Sequence, residues 1–175
     1  AIARLKAAGI KVYMQTGDAR RTAQAVAKAV GIDDFRSEVL PKDKAAFVDG
    51  LQRMGNTVAM VGDGVNDSEA LAKADVSIAM GRGSDIAMDV ARITLIGTDL
   101  QAIPRAITLS RKTVSLIRQN LFWAFIYNVI GIPIAAGVLV PINGFTLDPM
   151  LAGAAMALSS VSVVSNSLRL KWARL

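Results

Sequence analysis

Between Gln119 and Leu168 the chain carries no lysine or arginine and a single acid, Asp148, whereas residues 1–118 hold 17 of its 20 basic and 13 of its 14 acidic residues. Two such stretches cannot share one folding environment. Leu121 through Val140 are 20 residues without a charge, about 30 Å as a helix, or one hydrocarbon thickness. Met150 through Leu168 form a second uncharged stretch, interrupted by Ser159, Ser160, Ser162, Ser165 and Asn166. Two membrane-spanning helices are expected, with a buried core helix as the alternative for each. Arg105, Arg111, Lys112 and Arg118 precede the first stretch, and Arg169, Lys171 and Arg174 follow the second. Pro141 to Pro149, between them, has no basic residue. By the positive-inside rule both ends are cytoplasmic and the loop lies outside.

The net charge of +6 is scattered rather than gathered with aromatics into a basic patch, so nucleic acid is not an expected partner. The absence of cysteine excludes a disulfide framework and a thiolate metal site within these residues. The chain opens at Ala1 inside a helical pattern, with no targeting segment.

The charged part alternates. Helices are expected at 2–8, 19–30, 42–54, 67–73 and 84–90. Strands are expected at 10–14, near 37–40, and at 57–61, 76–80 and 92–96. A helix from about 100 to 119 then leads to the apolar part, with no flexible linker to interrupt it. Strands alternating with helices argue a parallel sheet covered on both faces.

Chemistry concentrates at two strand ends. The apolar run Val58-Ala59-Met60-Val61 ends in Gly62-Asp63-Gly64-Val65-Asn66-Asp67, a glycine-hinged turn where open α/β sheets present ligands. Carboxylates there repel phosphate but can hold a Mg²⁺ that binds it. An ordinary turn is the alternative. A dinucleotide fingerprint is excluded, because Asp67 occupies the place of its third glycine. Ile10 to Met14 ends similarly, in Gln15-Thr16-Gly17-Asp18. Thr16 can donate its hydroxyl to a phosphate oxygen, and Asp18 is expected to cap the following helix. That helix places Ala23, Val26, Ala27 and Val30 on one face. Pro41-Lys42-Asp43-Lys44 opens a helix with Phe47, Val48, Leu51 and Met54. A lysine there can neutralise phosphate or lie solvated on the surface.

Thr16-Gly17-Asp18, Pro41-x-x-Lys44 and Gly62-Asp63-Gly64-Val65-Asn66-Asp67 resemble, in order and spacing, the phosphorylation domain of P-type ATPases. That domain has a haloacid dehalogenase-like, Rossmann-like α/β fold. The resemblance implies that Thr16, Gly17 and Lys44 contact the phosphoryl group. It implies that Asp63 ligates Mg²⁺, and that Asn66 and Asp67 support the loop and the phosphate site. Glu69 stands where many relatives have proline. The family's phosphorylated aspartate, in Asp-Lys-Thr-Gly-Thr, is not among these residues. Nor are the nucleotide-binding and actuator domains. The expectation is therefore a C-terminal fragment, inactive alone, whose nucleophile lies upstream of residue 1.

Tyr127 and Asn128, mid-way along the first apolar stretch, and Met156, Ser159 and Ser160 in the second require a reason to sit in hydrocarbon. Helix packing, aided by Gly153, Ala154, Ala155 and Ala157, is one. A thioether that suits Cu(I) is another. Pro133 frees backbone near Val129 and can kink the helix by Asn128. Tyr127-Asn128 and Met156-x-x-Ser159-Ser160, with Gln119-Asn120-Leu121 before and Gly131-Ile132-Pro133 after, resemble the membrane motifs of the copper-transporting P1B class. That resemblance implies Tyr127, Asn128, Met156 and Ser160 as ligands of transported Cu⁺. The family's Cys-Pro-Cys motif lies outside this chain.

The expected arrangement is thus the C-terminal part of a phosphorylation domain over 1–98 and a connecting helix over 99–119. Membrane helices follow at 120–140 and 150–168, flanking an outer loop at 141–149, with a cytoplasmic tail at 169–175. The intact protein would be an integral plasma-membrane Cu(I) exporter using ATP and Mg²⁺. Its partners would be lipid, the remaining pump polypeptide and, by resemblance, a copper chaperone. Another cargo such as Zn, Cd, Co or Ag, a membrane-anchored phosphatase, and a non-catalytic membrane module are the rivals.

Overall fold

The computed structural model describes residues 1–62, 65–81, 89–144 and 148–172. The chain divides into two units, Ala1–Pro104 and Arg105–Leu175.

In the first unit the elements run α1 (Ile2–Ala7), β1 (Tyr13–Gln15), α2 (Arg20–Val30), β2 (Asp34–Arg36), α3 (Pro41–Arg53), β3 (Ala59–Gly62), a 3-10 turn (Val65–Asp67), α4 (Ser68–Lys73), β4 (Val76–Met80) and β5 (Ile93–Leu95). The strands are parallel, as the alternation of short β-prone runs and helices requires. They form two sheets, however, not the single one expected. β1 pairs with β2, setting Gln15 opposite Arg36, and β4 lies between β3 and β5, with Gly62 opposite Ala79. The strand expected near 37–40 lies instead at Asp34–Arg36. Glu38 just beyond it adopts a positive φ of 57°, which no strand residue tolerates. The helix expected at 84–90 falls largely outside the described residues.

β4 is the most buried strand. Ser77, Ile78, Ala79 and Met80 are all enclosed, and the Ser77 hydroxyl accepts the Arg92 N–H at 3.0 Å. Beside it, Ala45 and Val48 of α3 meet Ala70 and Ala74, with Val58 and Met60 against them. Small side chains let these helices approach closely. The apolar faces are narrower than the sequence suggests. α2 buries Ala23 and Ala27 but leaves Val26 and Val30 exposed, and Met54 is exposed beyond the end of α3. Phe47 stands edge-on to Tyr13, with the Arg36 guanidinium 4.2 Å above its ring.

The long helix α5 (Ala102–Ala135) opens with Ile103 and Pro104 buried. It is followed by α6 (Val140–Asn143), α7 (Pro149–Leu168) and a 3-10 turn (Arg169–Trp172). The expected span 120–140 is not one helix. α5 stops at Ala135, just past Pro133, and the chain turns at Gly137 with φ 84°. Its uncharged part, 119–135, is roughly 26 Å long, short of a hydrocarbon thickness. α7 begins with the Asp148 carboxylate accepting the Met150 N–H at 2.7 Å, and its second half is rich in serine. No helix among the described residues is long and apolar enough to cross a membrane. The expected spans at 120–140 and 150–168 are not supported by these helices.

Candidate functional site

β1 ends at Gln15, and Thr16 is the next residue. Its N–H donates to the Arg36 carbonyl at 3.0 Å, and its carbonyl accepts the Val39 N–H at 3.1 Å. Thr16 is thus fastened to the end of β2 and to the loop after it. Its hydroxyl donates to Asp18 at 2.9 Å and accepts the Asp18 N–H at 3.1 Å. Asp18 therefore closes a turn on Thr16 and does not cap α2, whose N-cap is Ala19 with no side-chain hydrogen bond. Gly17 is exposed, and a Cβ there would come no nearer than 3.9 Å to a neighbour. Open geometry of this kind gives a ligand access to the backbone.

Lys44 lies in the first turn of α3, where Pro41 is well placed because it lacks the N–H that a helix start leaves unbonded. Its ammonium donates to Asp67 Oδ1 at 2.7 Å, and the two side chains are only 14% and 12% exposed. The sequence suggested a solvated lysine as one alternative, and the structure excludes it. Ammonium and carboxylate so enclosed stabilise one another, because either alone would be desolvated without compensation. Lys44 has three donors, so the contact with Asp67 leaves capacity for an anion.

Gly62, at the end of β3, is buried. A Cβ there would fall 2.6 Å from Asp67 Cβ and 2.7 Å from Asp67 Oδ2. Only glycine admits the Asp67 carboxylate at this spot. The sequence marks the glycine but not what it makes room for, since nothing in the motif says which way Asp67 turns. Asn66 is exposed. Asp63, the expected Mg²⁺ ligand, lies outside the described residues, as does Gly64. Among the described residues no three acidic, histidine or cysteine side chains gather to hold a metal. Mg²⁺ needs less than that, one or two carboxylates completed by phosphate oxygens and water. The enclosed Asp67 carboxylate is one such oxygen donor.

Asp75, exposed at the start of β4, ties elements together. Its carboxylate accepts the Val58 N–H at 2.8 Å. That bond, a further one from Gln52 and the charge of Arg92 hold its carboxyl below the ordinary value. Gln52 also donates to the Lys73 carbonyl at 3.0 Å, so the end of α3 is pinned to the end of α4.

In the second unit the expected cargo residues lie on two helices, Tyr127 and Asn128 on α5 and Met156 and Ser160 on α7. Tyr127 is half-buried, whereas Asn128, Met156 and Ser160 are exposed, Met156 to 72%. The Asn128 carboxamide donates to the Ala124 carbonyl at 2.8 Å and the Ser160 hydroxyl to the Met156 carbonyl at 3.3 Å. Each polar group is therefore satisfied within its own helix. A different group, not among the expected site residues, joins α5 to α7: Asn120 donates to Ser167 at 2.8 Å, and Asn166 donates to Asn120 at 2.9 Å.

Parallel strands, a threonine turn after β1 and a buried lysine–aspartate pair against Gly62 at the end of β3 fit a haloacid dehalogenase-like domain. A family profile described as haloacid dehalogenase-like hydrolase matches residues 1–75, and a second of the same description matches residues 46–107. The chain is 62% identical over 167 residues to the probable copper-transporting ATPase PacS of Synechocystis, covering 95% of this chain and 22% of that protein. It is 57% identical to the copper-transporting P-type ATPase of Rhizobium leguminosarum, covering 100% of this chain and 21% of the relative. It is 56% identical to the copper-exporting P-type ATPase of Legionella pneumophila, covering 97% and 23%. The chain thus spans between a fifth and a quarter of the length of these curated relatives. Among solved structures, a zinc-transporting PIB-type ATPase superposes with a TM-score of 0.83 at 36% identity, over 97% of this chain and 26% of that one. The CPx-ATPase catalytic domain CopB-B superposes with a TM-score of 0.58 at 40% identity, over 61% and 42%. Over nearly its whole length the chain is thus similar to P-type ATPases named as copper-transporting or copper-exporting.

Proposed function

We propose that the chain is part of a pump that exports Cu(I) through an aspartyl-phosphate formed elsewhere on the same polypeptide. The observation that carries the phosphoryl half of this reading is the buried Lys44–Asp67 pair at 2.7 Å. Lys44 holds a cation where the transferred group's charge would accumulate, and catalysis of phosphoryl transfer rests on such placed charge. Thr16 and the backbone of Gly17 offer donors to the phosphoryl oxygens. Asp67 orients Lys44, and Asn66 lines the same turn. Bound Mg²⁺, held partly by Asp63, would offset charge between phosphate oxygens, with ATP as phosphoryl donor.

The cargo half rests on Met156, a soft ligand exposed on a helix otherwise rich in small residues, with Tyr127, Asn128 and Ser160 as companions. A thioether favours Cu(I) over the harder divalent metals. The likeness to a zinc-transporting structure keeps zinc as the competing cargo. In this reading the sheet unit and the C-terminus face the cytoplasm and the intact pump is a membrane protein. The exposed apolar side chains of α5 and α7 would be covered by lipid and by the remaining pump polypeptide. Delivery of copper by a soluble chaperone completes the scheme.

The test is phosphoenzyme formation from ATP by the intact pump, with Cu(I) or Zn(II) as the stimulating ion. The reading requires Mg²⁺-dependent, copper-stimulated phosphorylation that Lys44→Met suppresses. Stimulation by zinc alone would reassign the cargo, and full phosphorylation of the Met variant would remove Lys44 from the site.

A further inference from the structure

We propose that the carboxamides of Asn120 and Asn166 set the register between α5 and α7, and thereby the level at which Tyr127 and Ser159 lie. Asn166 donates to Asn120 Oδ1 at 2.9 Å and to Gln119 Oε1 at 3.3 Å. Asn120 donates in turn to the Ser167 hydroxyl at 2.8 Å. Arg169 donates to Asn166 Oδ1 at 3.2 Å, holding that carboxamide in one orientation. Both asparagines are half-buried. Each bond is directional. Sliding one helix by a single residue moves its donors by about 1.5 Å and turns them by about 100°, which breaks all of the interhelical bonds at once.

Packing alone supplies no comparable constraint. On α5 the half-buried positions include Asn120, Ala124, Tyr127, Gly131 and Ile134. On α7, among the described residues, they are Ser159, Ser162, Val163 and Asn166. These stripes follow the helical repeat, and most of their side chains are small enough to fit one turn higher or lower. A Cβ added at Gly131 would meet nothing within 4 Å, so close fit at that level does not fix the register either. A directional polar pair on a permissive helix face is the device by which buried amides specify register elsewhere.

The helices are joined at 119–120 and 166–167 and connected through 136–148, so they run antiparallel. Eight residues along α5 from Asn120 is Asn128, and eight residues back along α7 from Ser167 is Ser159. Equal rise, about 12 Å on each helix, puts Tyr127–Asn128 level with Ser159–Ser160. Met156 lies about one turn beyond, level with Gly131. The cargo role of these residues rests on the function proposed above; the register does not.

The experiment uses the intact pump in membranes, with Asn120→Leu and Asn166→Leu made singly and together. Leu is close to Asn in shape, and the partners left behind, Gln119 and Ser167, are exposed and can bond to water, so the double variant is expected to fold. This chain has no cysteine of its own, and cysteines placed at Ala124 and Val163 report register by disulfide formation, read as the linked peptide by mass spectrometry. With both asparagines present, 124 should link to 163 in preference to 159 or 167, one turn either way. In the double variant that preference should fall roughly fivefold to thirtyfold, the range for interhelical amide bonds. Half-maximal stimulation should then require more copper, while phosphorylation from inorganic phosphate stays unchanged. An undiminished preference for 163 in the double variant overturns the proposal. Lost register with unchanged copper stimulation would keep the clamp and overturn the cargo role of Tyr127 and its neighbours.

Discussion

Lys44 and Asp67, 23 residues apart, meet as a 2.7 Å ion pair with little of either side chain in water. α3 supplies the cation from its first turn and the 3-10 turn before α4 supplies the anion, so the pair also fastens these helices where they share the Ala45, Val48, Ala70 and Ala74 core. Breaking it from one side strands a buried charge. Lys44→Ala should therefore lower the opening free energy of α3 and α4 by about 3–5 kcal/mol, read by native-state hydrogen exchange of their amides. Lys44→Met combined with Asp67→Leu should recover much of that protection while phosphorylation stays abolished. Protection unchanged in Lys44→Ala would show the pair to be a surface contact.

Gly62→Ala places a methyl where the Asp67 carboxylate now sits. The expected cost is about 1–3 kcal/mol of overpacking. In the intact pump phosphorylation should fall with it, because Asp67 must swing away from Lys44. Wild-type turnover in this variant would mean that Asp67 can relocate without consequence.

Asp63→Asn keeps the shape of the loop and removes a charge that Mg²⁺ requires. Turnover of the intact pump should fall by roughly 10²–10³, the size of one lost electrostatic stabiliser. Folding should persist, as judged by an unchanged tryptic digestion pattern. Near-normal Mg²⁺-dependent phosphorylation would remove Asp63 from the metal site.

Asp75 gives the first unit an acid-sensitive seam. The Val58 N–H, Gln52 and Arg92 favour its ionised form, so its carboxyl is lower in the folded chain than in the unfolded one. The stability it contributes is fully present above the ordinary carboxylate range. It is lost as pH falls through the lowered native value. Hydrogen exchange of the Val58 amide, followed between about pH 6 and pH 3 and corrected for intrinsic rate, should show protection falling towards the acid end. Asp75→Asn should remove that slope. A slope that survives the substitution would locate the acid sensitivity elsewhere.

Met156 is 72% exposed, so within this chain its side chain has little packing to lose. Met156→Leu should cost less than about 1.5 kcal/mol of stability yet sharply weaken Cu(I) binding and copper-stimulated ATP hydrolysis in the intact pump, since leucine offers no lone pair. Full stimulation in the leucine variant would return Met156 to a packing role.

Much of the fold was legible from periodicity. β4 lies at 76–80 as expected, and α2, α3 and α4 begin and end within a residue of their expected bounds, because their apolar spacing and their glycine and proline boundaries are local signals. The separate pairing of β1–β2 and β3–β4–β5 was not legible, since strand adjacency depends on contacts far apart in sequence. The end of α5 was misjudged for a related reason. Counting uncharged residues ignores Gly137, whose φ of 84° turns the chain inside an unbroken apolar run. At the candidate site, residue types were readable but not their partners. Lys44 could be placed at a helix mouth, but only the folded chain sets it against Asp67. Asp18 fits a cap by type, yet its carboxylate closes on Thr16. Asn120 and Asn166 gave no sign of each other across 46 residues.

The turn at Thr16 has one more consequence. A hydroxyl owns a single proton, and here that proton points at Asp18. Delivering it to a phosphate oxygen means turning it away from Asp18, which leaves a bare carboxylate next to an arriving anion. In the proposed phosphate site the hydroxyl would exchange its bond to Asp18 for one to phosphate, while the Asp18 N–H still closes the turn on Thr16 Oγ1. The backbone of the turn could thus stay in place while a single proton changes partner.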